Sequence, residues 1–289
     1  MLFEVFSRHE ALGWPSAYTE WFPRSPWLNA VRRVLDNRLI HLAGRKGGPH
    51  NRTMVGNRLL PQPAEAYGFW DLNATKDFSR SFLLERTAAR ESVMRTRAAV
   101  RKLLKWQGRP RFAAKITGPS RIRFLDSIFP DARFVHVVRD GRAAVHSVLN
   151  VDFWREKGGF EQPFWTGGLS QEDLRLWQAD SKEPGALAAL QWKRILEVAR
   201  LESASIEPTR YQEIRYEDFV ESPHASLSKL YEFCDLDDSP ASHKSLEDGP
   251  VLRNFNDRYR ADFSDSYVEK LSDLMQPMLS DFGYGDSDR

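Results

Sequence analysis

The residues around Arg139 have the types and the spacing of an anion-binding site. Arg139 and Asp140 follow an apolar run at 134–138, and Ser147 comes eight residues after Arg139. A guanidinium offers planar N–H donors that match a phosphate, and a hydroxyl two helical turns later can donate to the same anion. The spacing alone fits a phosphate site and a surface ion pair between Arg139 and Asp140 about equally well.

The elements that must position these residues alternate between strand and helix. Strands are predicted at 112–116, 134–138 and 214–216, and helices at 120–129, 143–149 and 225–233. The near-continuous apolar run at 134–138 indicates a strand buried on both faces, as in a parallel sheet. This alternation predicts right-handed βαβ units, because parallel strands need a crossover connection. We therefore expect an α/β fold in three layers, with a largely parallel sheet flanked by helices.

The remaining segments supply further elements around that sheet. Helices are predicted at 77–106, as one helix or two, and at 186–203 and 264–282. The segment 10–73 is rich in aromatic residues, proline and glycine, which predicts short helices and long loops of the kind that bind substrates. Ligands of an open parallel sheet bind beyond the carboxyl ends of its strands, which is where Arg139 stands.

The composition excludes several classes of protein. The chain has 289 residues, with 42 Lys and Arg against 40 Asp and Glu, so its formal net charge of +2 attracts no polyanion. Its single cysteine, Cys234, permits no internal disulfide and favours a reducing, cytoplasmic location. No stretch approaches the roughly 18 apolar residues of a membrane span. No histidine pair stands at ligand spacing beside a carboxylate, so we predict no metal.

Two segments resemble those of a known family. The segment FVHVVRDGRAAVHS at 134–147 resembles the 3′-phosphate-binding segment of the sulfotransferases that use 3′-phosphoadenosine 5′-phosphosulfate (PAPS). The segment IRYEDFVESP at 214–223 is also similar to that family. The similarity spans 112–284, with weaker support from PAEAYGFW at 63–70. It implies a P-loop NTPase-like sulfotransferase fold with PAPS as the sulfuryl donor.

The resemblance also assigns roles to individual residues. It implies that Arg139 and Ser147 bind the 3′-phosphate of PAPS. Tyr216 falls where the family often has a residue near the adenine. Lys115, at the end of its predicted strand, resembles a basic residue common at that place. Arg253 and Arg258 lie where the family can close a basic loop over the nucleotide, although a plain linking loop fits equally well.

One family feature has no counterpart in this sequence. Sulfotransferases hold the 5′-phosphosulfate on a loop of the form Pro-x-x-Gly-Thr-Thr/Ser after the first strand, and no such segment occurs here. The helix that normally follows that loop begins at Leu2. We therefore expect the chain to lack the first strand and this loop, through a mis-assigned start codon or as a truncated gene copy. The segment 39–48 offers glycines and two cations, but it lacks Gly-Lys-Ser/Thr spacing and predicts a surface loop.

Sulfuryl transfer also needs a residue that takes the proton of the acceptor. The candidates are Glu20, Glu65, His50 and Asp71. The resemblance favours Glu20, since related enzymes commonly take this base from a glutamate shortly after the first helix. Glu65 follows, because it lies in the family-like segment at 63–70. For each candidate, a helix cap or a solvated carboxylate is the alternative.

These inferences combine into one expectation. We expect a single sulfotransferase-like domain at 1–289, with an acceptor-side region of helices and loops at 1–110 and a nucleotide-binding α/β region at 111–289. The predicted reaction moves a sulfuryl group from PAPS to a hydroxyl or amine of a small-molecule, glycan or peptide acceptor. The alternatives are a catalytically impaired nucleotide-binding remnant and, less favoured because no Walker loop is present, a small-molecule kinase. The basic stretch at 86–111 predicts a solvated face rather than a nucleic-acid surface, since Trp106 is its one aromatic residue.

Overall fold

Parallel strand pairs enclosed by helices form the framework of the fold. The computed structural model describes residues 1–35, 62–247 and 252–285. Its strands are β1 (Leu12–Gly13), β2 (Arg111–Phe112), β3 (Phe134–Val138) and β4 (Tyr211–Arg215). β1 pairs with β2 and β3 with β4, both in parallel, so the described residues contain two two-stranded sheets. This confirms the predicted α/β class and the parallel pairing.

Helices make up most of the described chain. The amino-terminal ones are α1 (Leu2–Phe6), α2 (Ala17–Trp21), α3 (Val31–Leu35), α4 (Tyr67–Asn73), α5 (Arg90–Gln107) and α6 (Ile122–Ile128). The others are α7 (Gly141–Leu149), α8 (Asp152–Glu156), α9 (Gln171–Ala179), α10 (Pro184–Ser203), α11 (Tyr216–Glu221), α12 (Pro223–Phe233), α13 (Pro240–Glu247), α14 (Arg258–Asp262), α15 (Asp265–Met275) and α16 (Met278–Asp281). Within the described ranges, no helix has both the length and the apolar character that crossing a membrane requires.

Most predicted helices are confirmed, with ends that local chemistry explains. Helices α7, α10 and α12 each begin two residues before the predicted start. The Asp140 side chain caps α7 by accepting from the Arg142 amide, and Glu183 caps α10 by accepting from two amides. Both α10 and α12 have proline at the first helical position, where its missing N–H costs nothing. The predicted helix at 264–282 is divided into α15 and α16, because proline cannot continue a helix.

The helix predicted at 77–106 is wrong over its first half. Helix α5 begins at Arg90, and residues 77–89 form turns. Leu83 and Glu85 each have a φ of 55°, a left-handed conformation that an α-helix excludes. The turns bury Phe78 and Phe82 completely, so tertiary packing outweighs the helical pattern of the sequence.

The strands differ from their predictions in length and burial. Of the strand predicted at 112–116, only Phe112 lies in a strand, namely β2, which pairs with β1. The sequence did not predict β1. Strand β4 covers 211–215 rather than 214–216. Strand β3 is confirmed, but its predicted burial on both faces is wrong: Val138 is 2% exposed, whereas Val137 is 44% exposed. Within the described residues β3 has a strand on one side only, and helices pack on the Val138 face.

The connection from β3 to α7 is held by close packing. A Cβ atom on Gly141 would clash with the Met275 sulfur and lie 3.0 Å from the Trp192 ring, so glycine allows this approach. The same core contains Val138 and Val145. The carboxyl end of β3, and with it Arg139, is therefore fixed relative to α10 and α15.

Candidate functional site

The first part of the site lies at the carboxyl ends of β3 and β4. Because Val138 pairs with Arg215 in parallel register, Arg139 and Tyr216 leave the sheet side by side. The guanidinium carbon of Arg139 lies 4.9 Å from the centre of the Tyr216 ring, within cation–π distance. The structure therefore brings together two residues that the sequence predicted for one site.

The loop after residue 251 joins this part of the site through its backbone. The Tyr216 hydroxyl donates to the Arg253 carbonyl oxygen at 3.2 Å. The Arg253 side chain itself is exposed. The predicted site residue is therefore adjacent to Tyr216, with a guanidinium that is open to solvent.

Two residues that the sequence did not predict stabilise Arg139: Asn256 by a direct hydrogen bond and Glu217 through Asn256. Arg139 Nε donates to Asn256 Oδ1 at 2.8 Å, and Asn256 Nδ2 donates to Glu217 Oε1. Glu217 also accepts from the Tyr284 hydroxyl at 2.7 Å and from the Asp140 backbone amide at 3.3 Å. Burial, and then the Glu217 carboxylate, raise the pKa of Tyr284, which keeps its hydroxyl protonated as a donor. No local motif marks Asn256, because its partners lie 39 and 117 residues away.

Asp140 does not pair with Arg139. Its carboxylate binds the guanidinium of Arg142 at 2.7 Å and accepts from the Arg142 backbone amide at 2.8 Å. The interpretation of Arg139 and Asp140 as a surface ion pair is therefore wrong. Ser147 lies exposed on α7, and no hydrogen bond joins its hydroxyl to Arg139, so its role in phosphate binding stays a prediction.

The second part of the site surrounds the start of α4. Lys115 Nζ lies 2.8 Å from Glu65 Oε1, and the Thr117 hydroxyl donates to the same carboxylate at 2.5 Å. The Tyr67 hydroxyl donates to the Thr117 carbonyl oxygen at 2.7 Å. Burial alone raises the pKa of Glu65, but Lys115 and the hydrogen bonds outweigh it and hold this pKa below its usual value.

Glu20 reaches the same place from α2. Its Oε2 atom accepts from the Gly68 backbone amide at 3.0 Å, while its side chain remains exposed. The structure therefore brings Glu20, Glu65 and Lys115 together at one end of α4. Asp71 instead accepts from the Ser79 amide at 2.9 Å and supports the turn that follows. His50 and the segment 39–48 lie outside the described residues.

A cavity of about 510 Å³ opens beside Glu20. Its lining consists of Trp21, Phe22, Pro23, Arg24, Ser25, Gly68 and Leu72. Trp21 and Phe22 are 49% and 53% exposed, so the lining presents adjacent aromatic surfaces to solvent. The described residues contain no group of three or more histidine, cysteine or acidic side chains that could hold a metal ion.

The comparisons with known proteins agree with this architecture. A profile described as the Sulfotransferase family matches residues 60–240. The chain belongs to the sulfotransferase family.

The chain is also similar to individual sulfotransferases. The chain is 28% identical over 226 residues to the omega-hydroxy-beta-dihydromenaquinone-9 sulfotransferase Stf3 of Mycobacterium bovis and of Mycobacterium tuberculosis. The match covers 76% of this chain and 53% of those proteins, so the chain spans about half the length of these relatives. The crystal structure of sulfotransferase STF9 from Mycobacterium avium aligns with 98% of this chain and 74% of its own, at 16% identity and a TM-score of 0.58. That likeness shows a shared fold.

Proposed function

We propose that this protein transfers a sulfuryl group from PAPS to a hydroxyl or amine of an acceptor molecule. The observation that carries the proposal is the position of Arg139 over Tyr216 at the carboxyl ends of paired parallel strands. The pairing places a planar cation and an aromatic ring where α/β proteins bind nucleotides. Membership of the sulfotransferase family supplies the reaction class.

The donor half of this proposal assigns PAPS to residues 111–289. Arg139 would bind the 3′-phosphate with its two Nη groups, which carry no hydrogen bond within the described part of the chain. Ser147 would add a hydroxyl, and Tyr216 would lie near the adenine. The loop at Arg253 would cover the nucleotide, because its backbone already contacts Tyr216. PAPS is a substrate here, and it leaves as adenosine 3′,5′-bisphosphate.

The acceptor half assigns the base to residues 1–110. Glu65 is ion-paired with Lys115, which holds the pKa of Glu65 below its usual value and disfavours it as a proton acceptor. Within the described residues Glu20 Oε1 has no hydrogen bond, and Trp21 and Gly68, the neighbours of Glu20, both line the cavity. We therefore assign Glu20 as the base. Glu20 takes the acceptor's proton, an S–O or S–N bond forms, and the sulfur–oxygen bond to the 5′-phosphate breaks.

Lys115 belongs beside the transferring group in this scheme. Its ammonium is half-exposed and is oriented by Glu65 at the end of α4 that also holds Glu20. A fixed cation there stabilises negative charge on the sulfuryl oxygens during transfer. Glu65 would then act by holding Lys115 rather than by accepting a proton.

The cavity indicates what kind of acceptor body fits. Aromatic side chains that remain half-exposed favour an acceptor with an apolar face. The relatives named above are sulfotransferases of an omega-hydroxy compound. For this chain, we propose an acceptor that presents a hydroxyl to Glu20 and an apolar body to Trp21 and Phe22.

The decisive experiment measures donor binding and transfer separately. Calorimetry should show that Arg139→Ala weakens adenosine 3′,5′-bisphosphate at least about tenfold, since a charge-assisted contact is lost. Arg175→Ala, on the exposed face of α9, is the matched control and should not change the affinity. Unchanged binding by Arg139→Ala overturns the donor site.

A transfer assay distinguishes the remaining alternatives. Labelled PAPS is incubated with the protein and a panel of primary alcohols and phenols, and sulfated product is measured. Product formation supports the sulfotransferase proposal. Nucleotide binding without product across the panel favours the catalytically impaired alternative, and phosphate transfer from ATP favours a kinase.

A further inference from the structure

The contacts of Arg139 fix the orientation of its guanidinium without pairing its positive charge with a carboxylate. Asn256 accepts from Nε at 2.8 Å, and the guanidinium carbon lies 4.9 Å from the centre of the Tyr216 ring. No carboxylate lies within ion-pair distance of Arg139 in the described residues, although acidic residues are close by. An arginine held in this way presents both Nη groups in one direction with its full charge available.

The orientation of Asn256 follows from what its neighbours can donate and accept. A guanidinium only donates and a carboxylate only accepts, so the amide must turn Oδ1 toward Arg139 and Nδ2 toward Glu217. Asn256 is 8% exposed, which leaves little water to compete for either bond. Its backbone amide also donates to Asn254 Oδ1 at 3.0 Å, which holds the loop in a turn.

Glu217 is anchored on its other side. Tyr284 and the Asp140 backbone amide both donate to it, and Arg215 Nε lies 3.9 Å from its Oε2 atom. The negative charge is thereby fixed one side chain away from Arg139. Asn256 therefore links the Glu217 carboxylate to the Arg139 guanidinium by hydrogen bonds, and the two charged groups do not form an ion pair.

We propose that Asn256, supported by Glu217, is a positioning residue that aims Arg139 at the nucleotide phosphate and keeps its charge uncompensated. This inference rests on the proposed function, in which Arg139 binds the 3′-phosphate of PAPS. A carboxylate in place of Asn256 would hold Arg139 equally well and would cancel the charge that the phosphate needs. A small side chain in place of Asn256 would leave the charge of Arg139 unchanged but would no longer fix the orientation of its guanidinium.

The first test separates orientation from folding. Asn256→Ala should weaken adenosine 3′,5′-bisphosphate about tenfold, because a long side chain must then be ordered on binding. Adenosine 5′-monophosphate, which lacks the 3′-phosphate, should bind as it does to the unaltered protein. In a transfer assay, the KM for PAPS should rise while kcat changes little. Asp257→Asn is the matched control, since Asp257 is adjacent and its side chain is 81% exposed.

The second test moves the negative charge from position 217 to position 256 and keeps one amide and one carboxylate in the pair. The double variant Asn256→Asp with Glu217→Gln exchanges an amide and a carboxylate, so net charge is kept and the carboxylate now contacts Arg139. We expect a modest fall in melting temperature, because an amide NH2 group at position 217 that is turned toward the carboxylate at position 256 cannot accept from the Asp140 amide. We also expect a loss of bisphosphate affinity of about tenfold and a weaker salt dependence of binding. Wild-type affinity in this variant overturns the claim that the charge must stay uncompensated.

The outcomes distinguish this inference from the proposed function. If Arg139→Ala weakens bisphosphate binding and Asn256→Ala does not, the positioning role is overturned and the phosphate site stands. If Arg139→Ala leaves binding unchanged, both are overturned. A parallel loss of affinity for both nucleotides in Asn256→Ala shows a general structural effect and also overturns the positioning role.

Discussion

The Arg142 guanidinium lies 2.7 Å from the Asp140 carboxylate, so the acidic residue that follows Arg139 in the sequence is bound by a different arginine. Both members of this pair are buried, at 6% and 9% exposure of their side chains. The pair stabilises the first turn of α7, and Arg139 instead donates a hydrogen bond to Asn256. Two arginines three residues apart therefore have different roles, one in the fold and one in the candidate site.

The buried pair predicts a large stability effect. Asp140→Ala removes the helix cap and the carboxylate that binds the buried Arg142 guanidinium, so the free energy of unfolding should fall by about 3 kcal/mol. Urea denaturation measures this change. Asp152→Ala, an exposed acidic residue in the first turn of α8, serves as the control and should cost much less. Equal losses in the two variants would show that the buried pair contributes no more than an exposed acidic residue.

Much of the fold could be predicted because it depends on local patterns. The apolar run of β3 and the helical spacing of α6, α7, α10 and α12 depend on near neighbours in the sequence. Residues 77–89 could not be predicted, because the local pattern shows neither the positive φ angles at Leu83 and Glu85 nor the complete burial of Phe82. Strand β1 is two residues long and gives no pattern of its own.

The candidate site was predictable in part for the same reason. Arg139 and Tyr216 each follow a strand, so the rule that ligands bind at strand ends finds both. Asn256 and Glu217 act through partners that are distant in the sequence, and polar residues in loops usually have no such role. The sequence also cannot show that Asp140 forms its ion pair with Arg142 rather than with Arg139. That choice depends on the geometry of the first helical turn.

The lowered pKa of Glu65 predicts a specific pH dependence of stability. A carboxyl whose pKa is lower in the folded state stabilises the protein when ionised, and this contribution is lost as pH falls through the lowered pKa. The stability difference between the unaltered protein and Glu65→Gln should therefore be constant near neutral pH and shrink below the ordinary value of 4.5. Denaturation at a series of pH values measures it. Lys115→Met should reduce this pH dependence, and a difference that persists unchanged into acid would contradict the ion pair.

The choice of Glu20 as the base predicts unequal effects of two similar substitutions. Glu20→Gln should lower kcat for transfer from PAPS by about 10²–10⁴-fold, because it removes the carboxylate assigned to take the proton of the acceptor. Glu65→Gln keeps Glu20 and should have the smaller effect on kcat. The two variants control for each other, since both remove one negative charge near Gly68. If Glu65→Gln causes the larger loss of kcat, the assignments are reversed.

The aromatic cavity predicts a dependence on the length of the acceptor. In a series of straight-chain primary alcohols, KM should fall by up to about fourfold for each added methylene that is buried, from the transfer free energy of a CH₂ group. Trp21→Ala should flatten this series because it removes apolar lining, while its exposed position leaves folding intact. Trp106→Ala is the matched control, since Trp106 is 42% exposed and does not line the cavity. A series that keeps its slope in Trp21→Ala would place the apolar part of the acceptor elsewhere on the protein.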